Sequence, residues 1–290
     1  MLTPIFSELE IQTAQELINQ SNNVVILTHM SPDGDAMGSS LAMRHFLEAQ
    51  GKQVSVIVPN AFPDFLAWLP KANEDIIYET HRAEADALLE QADLVICTDF
   101  NDPKRIGSLG DKLLTLPCKK MMIDHHLHPA SFPDLTLSYP SSPSTCELVY
   151  RLITSLYTLH PTPYTQLSQE IATCIYTGMM TDTGNFSFNS NYPEMYQIVG
   201  ELVSFGVNKD EIYNRVFNAY SADRMRLMGY CLYNKMKIFP EHHTALIYLS
   251  RKELYRFNFQ SGDAEGIVNL PLQIKDIHYS CFMREDKVNP

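Results

Sequence analysis

The chain has 290 residues, which is long for one compact domain and comfortable for two. Its 45% hydrophobic content argues against disorder, and its six singly spaced cysteines argue against a thiolate metal site or a disulfide framework. The net charge of −12 argues against binding of long nucleic acids, duplexes included, but leaves open a short nucleotide held through bound cations.

The sequence also indicates the cellular compartment of the protein. The opening residues, MLTPIFSELE, contain acids and no basic segment before an apolar stretch, so no signal peptide is predicted. No apolar run approaches the roughly 20 residues that span a bilayer. These features predict a cytoplasmic protein with reduced thiols and no membrane partner.

The first two-thirds of the chain alternate between short strands and helices. Strands are predicted over four apolar or β-branched runs: 24–29, 53–58, 93–99 and 119–124. Helices are predicted between them, over 36–50, 62–69, 82–91 and 106–114. This alternation predicts right-handed βαβ units, and therefore an α/β fold with a mostly parallel open sheet and helices on both faces.

The rest of the chain is mostly helical and then mixed. Helices are predicted over 144–157, 165–180, 193–205, 210–220 and 224–237. Strands over 244–250 and 278–283 flank a further predicted helix, 263–274. We therefore predict a catalytic α/β domain over 1–190, connecting helices over 191–235 and a smaller α+β domain over 236–290. The last strand has few partners, so we expect the smaller domain to be incomplete.

Acids and histidines follow several predicted strands. They form four clusters: His29 with Asp33 and Asp35; Asp99; Asp124 with His125 and His126; and Asp182, just past a helix. Sites in open parallel sheets form outside the carboxyl ends of the strands, and three of the four clusters lie there. A lone Asp-Gly-Asp is most often a turn and a His-His pair is often a surface feature. Their joint occurrence at strand ends predicts a site.

These acids indicate divalent cations. Four carboxylates in one cleft would repel each other strongly without positive charge between them. Mixed carboxylate and imidazole ligands favour Mn²⁺ over Mg²⁺. Two ions roughly 3.5–4 Å apart could share a hydroxide and clamp a phosphoryl group, which predicts hydrolysis of a phosphate ester.

Four motifs resemble those of the DHH phosphoesterases. The motifs HMSPDGDAMGS, CTDFND, IDHH and GMMTDTG occur in the family's order, and the resemblance extends over most of residues 24–188. With their spacing and the RIG after Asp99, they resemble most the nanoRNase/pAp-phosphatase branch. The resemblance implies an enzyme that trims short oligoribonucleotides and removes the 3′ phosphate of adenosine 3′,5′-bisphosphate (pAp).

The resemblance also implies the ligands of two cations. One ion would be held by His29, Asp33 and Asp99. The other would be held by Asp35, Asp99, His125 and Asp182. Asp99 would then be shared by both ions.

Other residues are assigned roles around this site by the resemblance. Asp124 would orient a neighbouring ligand, and His126 would face the scissile phosphate. Arg105 would reach the substrate phosphate, although its position also suits a solvated residue near a helix start. Ser144 and Glu147 form a capping box that structure alone explains, at a helix start that the family places beside the metals.

Alternatives to this function stay open at this stage. The family's second domain normally ends in a GGGH segment that helps to hold the nucleotide, and no GGGH occurs here. The metal site should remain, but substrate binding and turnover are in doubt. A cyclic-dinucleotide phosphodiesterase of the same family, or a metal-binding but catalytically silent nucleotide binder, are the alternatives. An apolar helix face over 228–236 would allow a homodimer.

Overall fold

The computed structural model describes residues 2–159, 167–260 and 262–285 of the chain. The chain divides into two units, Met1–Tyr213 and Asn214–Pro290. The division falls within the segment 191–235 that was predicted to connect two domains. The assignment of 1–190, 191–235 and 236–290 to three functional parts remains a prediction.

A six-stranded parallel sheet lies at the centre of the first unit. Its strands are β1 (Asn23–Leu27), β2 (Gln53–Val58), β3 (Ile76–Ile77), β4 (Leu94–Thr98), β5 (Lys119–Asp124) and β6 (Leu135–Ser138). They lie in the order β3-β2-β1-β4-β5-β6, and each neighbouring pair is parallel. This confirms the predicted α/β class. Because the strand order reverses between β1 and β4, a crevice opens at the carboxyl ends of these strands.

Helices cover both faces of this sheet. The helices of the first unit are, in chain order, α1 (Glu8–Asn19), α2 (Gly34–Ala49), α3 (Arg82–Glu90), α4 (Ser108–Thr115), α5 (Thr145–Leu159), α6 (Gln169–Asp182) and α7 (Pro193–Ser204), and α8 (Lys209–Phe217) crosses the division between the units. Apolar residues of α3 and α4 pack with those of β1, β4 and β5 in one core. Helices α2 and α5 contact the strands as well, and both contact α6. Among the described helices, none has the length and apolar character needed to cross a membrane.

Glycines allow α2 and α6 to approach closely. A Cβ atom on Gly38 of α2 would lie 2.5 Å from the carbonyl oxygen of Cys174 in α6, and one on Gly178 of α6 would lie 2.9 Å from Oδ1 of Asp35 in α2. Asp35 lies in the first turn of α2, and Asp182 is the last residue of α6. The close approach therefore brings the acidic ends of these two helices together.

The second unit contains a small mixed sheet. The helices and strands of this unit are α9 (Ala222–Tyr230), β7 (Lys237–Phe239), β8 (Thr244–Leu249), α10 (Arg251–Arg256) and β9 (Tyr279–Arg284). Strand β8 pairs with β7 in antiparallel and with β9 in parallel fashion. Met228 and Met236, from the face predicted to dimerise, pack partly buried against the core of this unit. A homodimer remains a prediction.

Two predicted helices are wrong, and proline explains both. The segment 62–69 has only a short 3₁₀ turn at Asp64–Leu66, because Pro63 precedes it and Pro70 follows closely. The segment 263–274 forms a 3₁₀ helix at Ile267–Gln273 that contains Pro271. The first residues of the helix predicted over 165–180 lie outside the described part of the chain.

Candidate metal centre

The predicted acid and histidine clusters meet at the carboxyl edge of the parallel sheet. His29 lies two residues beyond β1, Asp99 directly follows β4, and His125 directly follows β5. Asp35 and Asp182 reach the same place from α2 and α6. The alignment of the parallel strands thus brings together residues that are up to about 150 positions apart in the sequence.

The first group of candidate ligands contains His29, Asp33 and Asp99. The Nε2 atom of His29 lies 3.8 Å from Oδ1 of Asp33 and 3.3 Å from Oδ2 of Asp99. The Nδ1 atom of His29 lies 2.9 Å from the carbonyl oxygen of Met30. Donation from Nδ1 to this carbonyl leaves the Nε2 lone pair facing the carboxylates, which is the orientation that a metal-binding histidine needs.

The second group is arranged around His125. The Nε2 atom of His125 lies 3.5 Å from Oδ2 of Asp182, 4.0 Å from Oδ2 of Asp35 and 3.6 Å from Oδ1 of Asp99. The Nδ1 atom of His125 lies 3.2 Å from the carbonyl oxygen of Ser142. This ring is therefore held in the same way as that of His29.

Asp99 lies between the two groups. Its Oδ2 faces His29 and its Oδ1 faces His125, so each group receives one oxygen of the same carboxylate. The backbone of Asp99 has φ +64, and its N–H donates to the carbonyl oxygen of Ile123. Aspartate adopts this left-handed conformation more readily than most residues, and such conformations concentrate at functional sites.

Asp33 fixes the turn that leads into α2. Its Oδ1 accepts hydrogen bonds from the backbone N–H groups of Asp35 and Ala36, each at 3.0 Å, and so caps the helix. The intervening Gly34 has no room for a side chain, because a Cβ atom there would lie 2.3 Å from the Oγ1 of Thr181. The tight turn predicted for the Asp-Gly-Asp motif is therefore stabilised by the cap from Asp33 and permitted by the absence of a side chain at Gly34.

The start of α5 also contacts the site. The N–H groups of Thr145 and Cys146 donate to the two carboxylate oxygens of Asp35, at 2.6 and 2.9 Å. The hydroxyl of Thr145 donates to Oδ1 of Asp99 at 2.9 Å. No function was predicted for Thr145, because it lies within the sequence pattern of a capping box. The resemblance, which places this helix start beside the metals, gave the signal that could have identified it.

His126 and Asp124 form a pair beside these groups, and ligand atoms of His126, Asp99 and His125 also lie within 4.8 Å of one another. The buried Asp124 places its Oδ1 2.7 Å from Nδ1 of His126 and accepts a hydrogen bond from the His126 backbone through Oδ2. This contact raises the pKa of His126. Arg105 lies at the rim, where its guanidinium donates to the carbonyl oxygen of Asp99 at 3.5 Å. The structure thus brings together all the site residues named from the sequence.

The crowding of acids shifts their pKa values. Burial, followed by the charges of Asp99 and Asp182, raises the pKa of Asp35 well above its usual value. Burial and the charge of Asp99 raise the pKa of Asp182 to about 7. Burial would lower the pKa of His29, but hydrogen bonds to Asp33 and Asp99 outweigh it and raise the pKa to about 11. The site therefore carries more negative charge than it can stabilise alone.

The donor set fits divalent cations. The ligand atoms of His29, Asp33 and Asp99 all lie within 4.8 Å of one another, and so do those of Asp35, His125 and Asp182. Each set mixes imidazole nitrogen with carboxylate oxygen, which suits transition-metal ions. Such cations would also offset the repulsion between the buried acids.

A comparison with known families agrees with this geometry. Residues 23–179, more than half of the chain, match the family described as "DHH family, N-terminal domain". The chain belongs to the DHH family. The matched region contains His29, Asp33, Asp35, Asp99 and His125, together with the Asp124–His126 pair. Asp182 lies just beyond it.

Two curated relatives carry the same name. "Bifunctional oligoribonuclease and PAP phosphatase NrnA" of Thermus thermophilus is 33% identical over 72% of this chain and 58% of its own length. The protein of that name from Bacillus subtilis is 23% identical over 93% of this chain and 80% of its own length. The match thus spans less than two-thirds of the first relative and four-fifths of the second. These names confirm the resemblance to the nanoRNase/pAp-phosphatase branch, a branch of hydrolytic enzymes.

A solved structure shows the same fold over nearly the whole chain. It is described as an exopolyphosphatase-related protein from Bacteroides fragilis and is 47% identical, with a TM-score of 0.91. The match covers 98% of this chain and 82% of that one. The α/β fold of this DHH member is therefore shared with a structure determined by crystallography.

Proposed function

We propose that this protein is a manganese-dependent phosphoesterase that hydrolyses short oligoribonucleotides and removes the 3′ phosphate of pAp. The observation that carries the proposal is the position of Asp99, which directs one carboxylate oxygen to each of two groups of candidate ligands. The names of the two curated relatives support the choice of substrates.

In this proposal, each ligand group holds one cation. His29, Asp33 and Asp99 would hold the first, and Asp35, Asp99, His125 and Asp182 would hold the second. When bound, the two cations supply the positive charge that activates a water molecule and neutralises phosphate oxygens, and the mixed ligands favour Mn²⁺. The chain contributes the fixed geometry, since Asp33 and Asp35 both accept backbone hydrogen bonds at helix starts.

His126 and Arg105 bind and orient the phosphate. Asp124 accepts a hydrogen bond from the Nδ1–H of His126, which fixes the ring and stabilises its charged form. The Nε2–H of that ring can then donate to a phosphate oxygen or to the leaving oxygen. The guanidinium of Arg105 provides a planar donor for the same phosphate from the rim of the site.

The charge of the protein limits the size of its substrate. A net charge of −12 repels the continuous backbone of a long nucleic acid. One or two phosphates placed on the cations escape this repulsion, because the local charge of the site is then positive. Short oligoribonucleotides and pAp satisfy this condition.

A substrate panel with Mn²⁺ tests the proposal. We expect metal-dependent release of product from a ribodinucleotide and from pAp, because both place a phosphate ester on the cations. Asp99→Asn should abolish turnover, since it removes the charge that both cations share. Asp111→Asn, at an exposed position of α4, is the matched control and should retain activity.

The panel also separates the alternatives. Hydrolysis of cyclic di-AMP in preference to both other substrates would instead favour a cyclic-dinucleotide phosphodiesterase. Binding of Mn²⁺ and of pAp without turnover of any substrate would favour a catalytically silent nucleotide binder. Either result would contradict the proposed activity.

A further inference from the structure

Thr145 contacts both groups of candidate ligands from the first position of α5. Its backbone N–H donates to Oδ2 of Asp35 at 2.6 Å, and its hydroxyl donates to Oδ1 of Asp99 at 2.9 Å. The residue is fully buried. Thr145 thus donates hydrogen bonds to Asp99, which lies between the two groups, and to Asp35, which belongs to the second group.

The hydroxyl of Thr145 is not required to cap its helix. Ser144 performs that role, because its Oγ accepts the N–H of Glu147 at 3.1 Å. The Thr145 hydroxyl points instead to a carboxylate, in a place where an apolar β-branched side chain would fill the same volume. Capping therefore explains Ser144 and leaves the hydroxyl of Thr145 to be explained by its bond to Asp99.

The orientation of Asp99 is what this bond controls. A carboxylate on a left-handed backbone can rotate about its side-chain torsions, and rotation would turn Oδ1 away from His125. A carboxylate has about four lone-pair directions, so one bond from Thr145 leaves both oxygens able to bind a cation. The hydrogen bond can therefore select one rotamer without occupying the ligand positions.

We propose that Thr145 is a positioning residue that holds Asp99 between the two cations and on which the binding of the second cation depends. This inference rests on the proposed two-cation function. The second cation is the sensitive one, because the hydroxyl bonds the oxygen that faces His125 and not the oxygen that faces His29.

Replacement of the hydroxyl by a methyl group tests the proposal. Thr145→Val keeps the shape and the backbone N–H bond to Asp35 but removes the donor to Asp99. Loss of a partner that orients a ligand typically lowers metal affinity or activity about 10- to 100-fold. We expect a loss of this size in the affinity for the second Mn²⁺, measured by calorimetric titration, with a fall in kcat and little change in KM.

Two further variants separate positioning from packing. Thr145→Ser keeps the hydroxyl and should restore the second binding event. Thr177→Val makes the same chemical change at a buried threonine of α6 whose hydroxyl donates to the backbone carbonyl of Thr173, and it should bind both ions normally. Melting in chelator will show whether each variant is folded, and Thr145→Ala will replace Thr145→Val if the latter does not fold.

The titration distinguishes failure of this inference from failure of the proposed function. If folded Thr145→Val binds two Mn²⁺ with the affinity of the wild type, Thr145 does not position Asp99. If Thr145→Ser loses the second ion as completely as Thr145→Val, the hydroxyl is not the cause and the inference is also wrong. If the wild type itself binds no pair of ions, the proposed function fails first.

Discussion

The pKa of Asp182 reflects the excess of negative charge in the site. Its side chain exposes 28% of its surface, yet burial and the charge of Asp99 raise its pKa to about 7. The pKa of Asp35 is raised as well, whereas that of Asp33 is lowered to about 2 because its contact with His29 outweighs burial. Neighbouring carboxylates thus differ in protonation because their partners differ.

These shifts predict an unusual pH dependence of stability without metal. The folded pKa of Asp182 lies above its unfolded value, so its contribution is complete below about 4 and is lost as the pH rises through about 7. The raised pKa values of Asp35 and His29 act in the same direction. We expect the melting temperature in chelator to fall between about pH 5 and pH 8, and to fall less steeply in Asp182→Asn.

Metal should reverse this trend. Cations bind the ionised carboxylates and therefore compete with protons for them. We expect saturating Mn²⁺ to raise the melting temperature of the wild type more at pH 8 than at pH 5. Asp111→Asn controls for the loss of an acid elsewhere. Equal slopes for the wild type and Asp182→Asn in chelator would show that the raised pKa of Asp182 is wrong.

The sequence predicted which candidate ligands lie together better than it predicted the contacts that hold them in place. His29, Asp99 and His125 could be predicted because they follow strands whose carboxyl ends must meet at one edge. The bond from Thr145 to Asp99 and the left-handed backbone at Asp99 could not be predicted from the local sequence. Both depend on a helix start and a sheet edge that lie together only after folding, and a capping box accounts for the local sequence.

At the scale of elements, the crossing of α2 and α6 places the acids. Gly38→Ala would bring a Cβ atom to 2.5 Å from a backbone carbonyl oxygen, which cannot rotate away. We expect this variant to lose about 1–3 kcal/mol in the free energy of unfolding, measured by urea titration, because overpacking must separate the helices. Its activity should fall too, since Asp35 and Asp182 lie at the ends of these helices.

Gly200→Ala is the matched control for this prediction. Gly200 lies inside α7, and a Cβ atom there would meet nothing within 4 Å. Alanine should stabilise this helix by about 0.5–1 kcal/mol relative to glycine. A Gly38→Ala variant that is as stable and as active as the wild type would show that the close helix crossing is not required.

Element boundaries could be predicted where one physical signal dominates. The apolar runs of β1, β2, β4 and β5 are bounded by polar or turn residues, and their predicted limits lie within two residues of the observed ones. Strands β3 and β6 were missed because they have only two and four residues, too few to show a clear pattern. The wrong helices at 62–69 and 263–274 show that proline should have overridden the apolar pattern there.

At the scale of the whole molecule, charge and fold determine different properties. The α/β fold of the first unit, shared with other DHH family members, explains where the site forms. The net charge of −12 instead affects which ligands can approach, because it repels an anion wherever no local positive charge offsets it. The sequence predicted the α/β fold, since the strand–helix alternation is visible without tertiary contacts, and the net charge follows directly from the composition.

The most direct test of the two-cation site is a titration of the protein with Mn²⁺. The free ion is measured by its electron paramagnetic resonance signal during the titration. The proposal predicts two bound Mn²⁺ per chain in the wild type and weakened binding of both in Asp99→Asn, because one carboxylate serves both ions. An absence of binding by the wild type, or unchanged binding of two ions by Asp99→Asn, would contradict it.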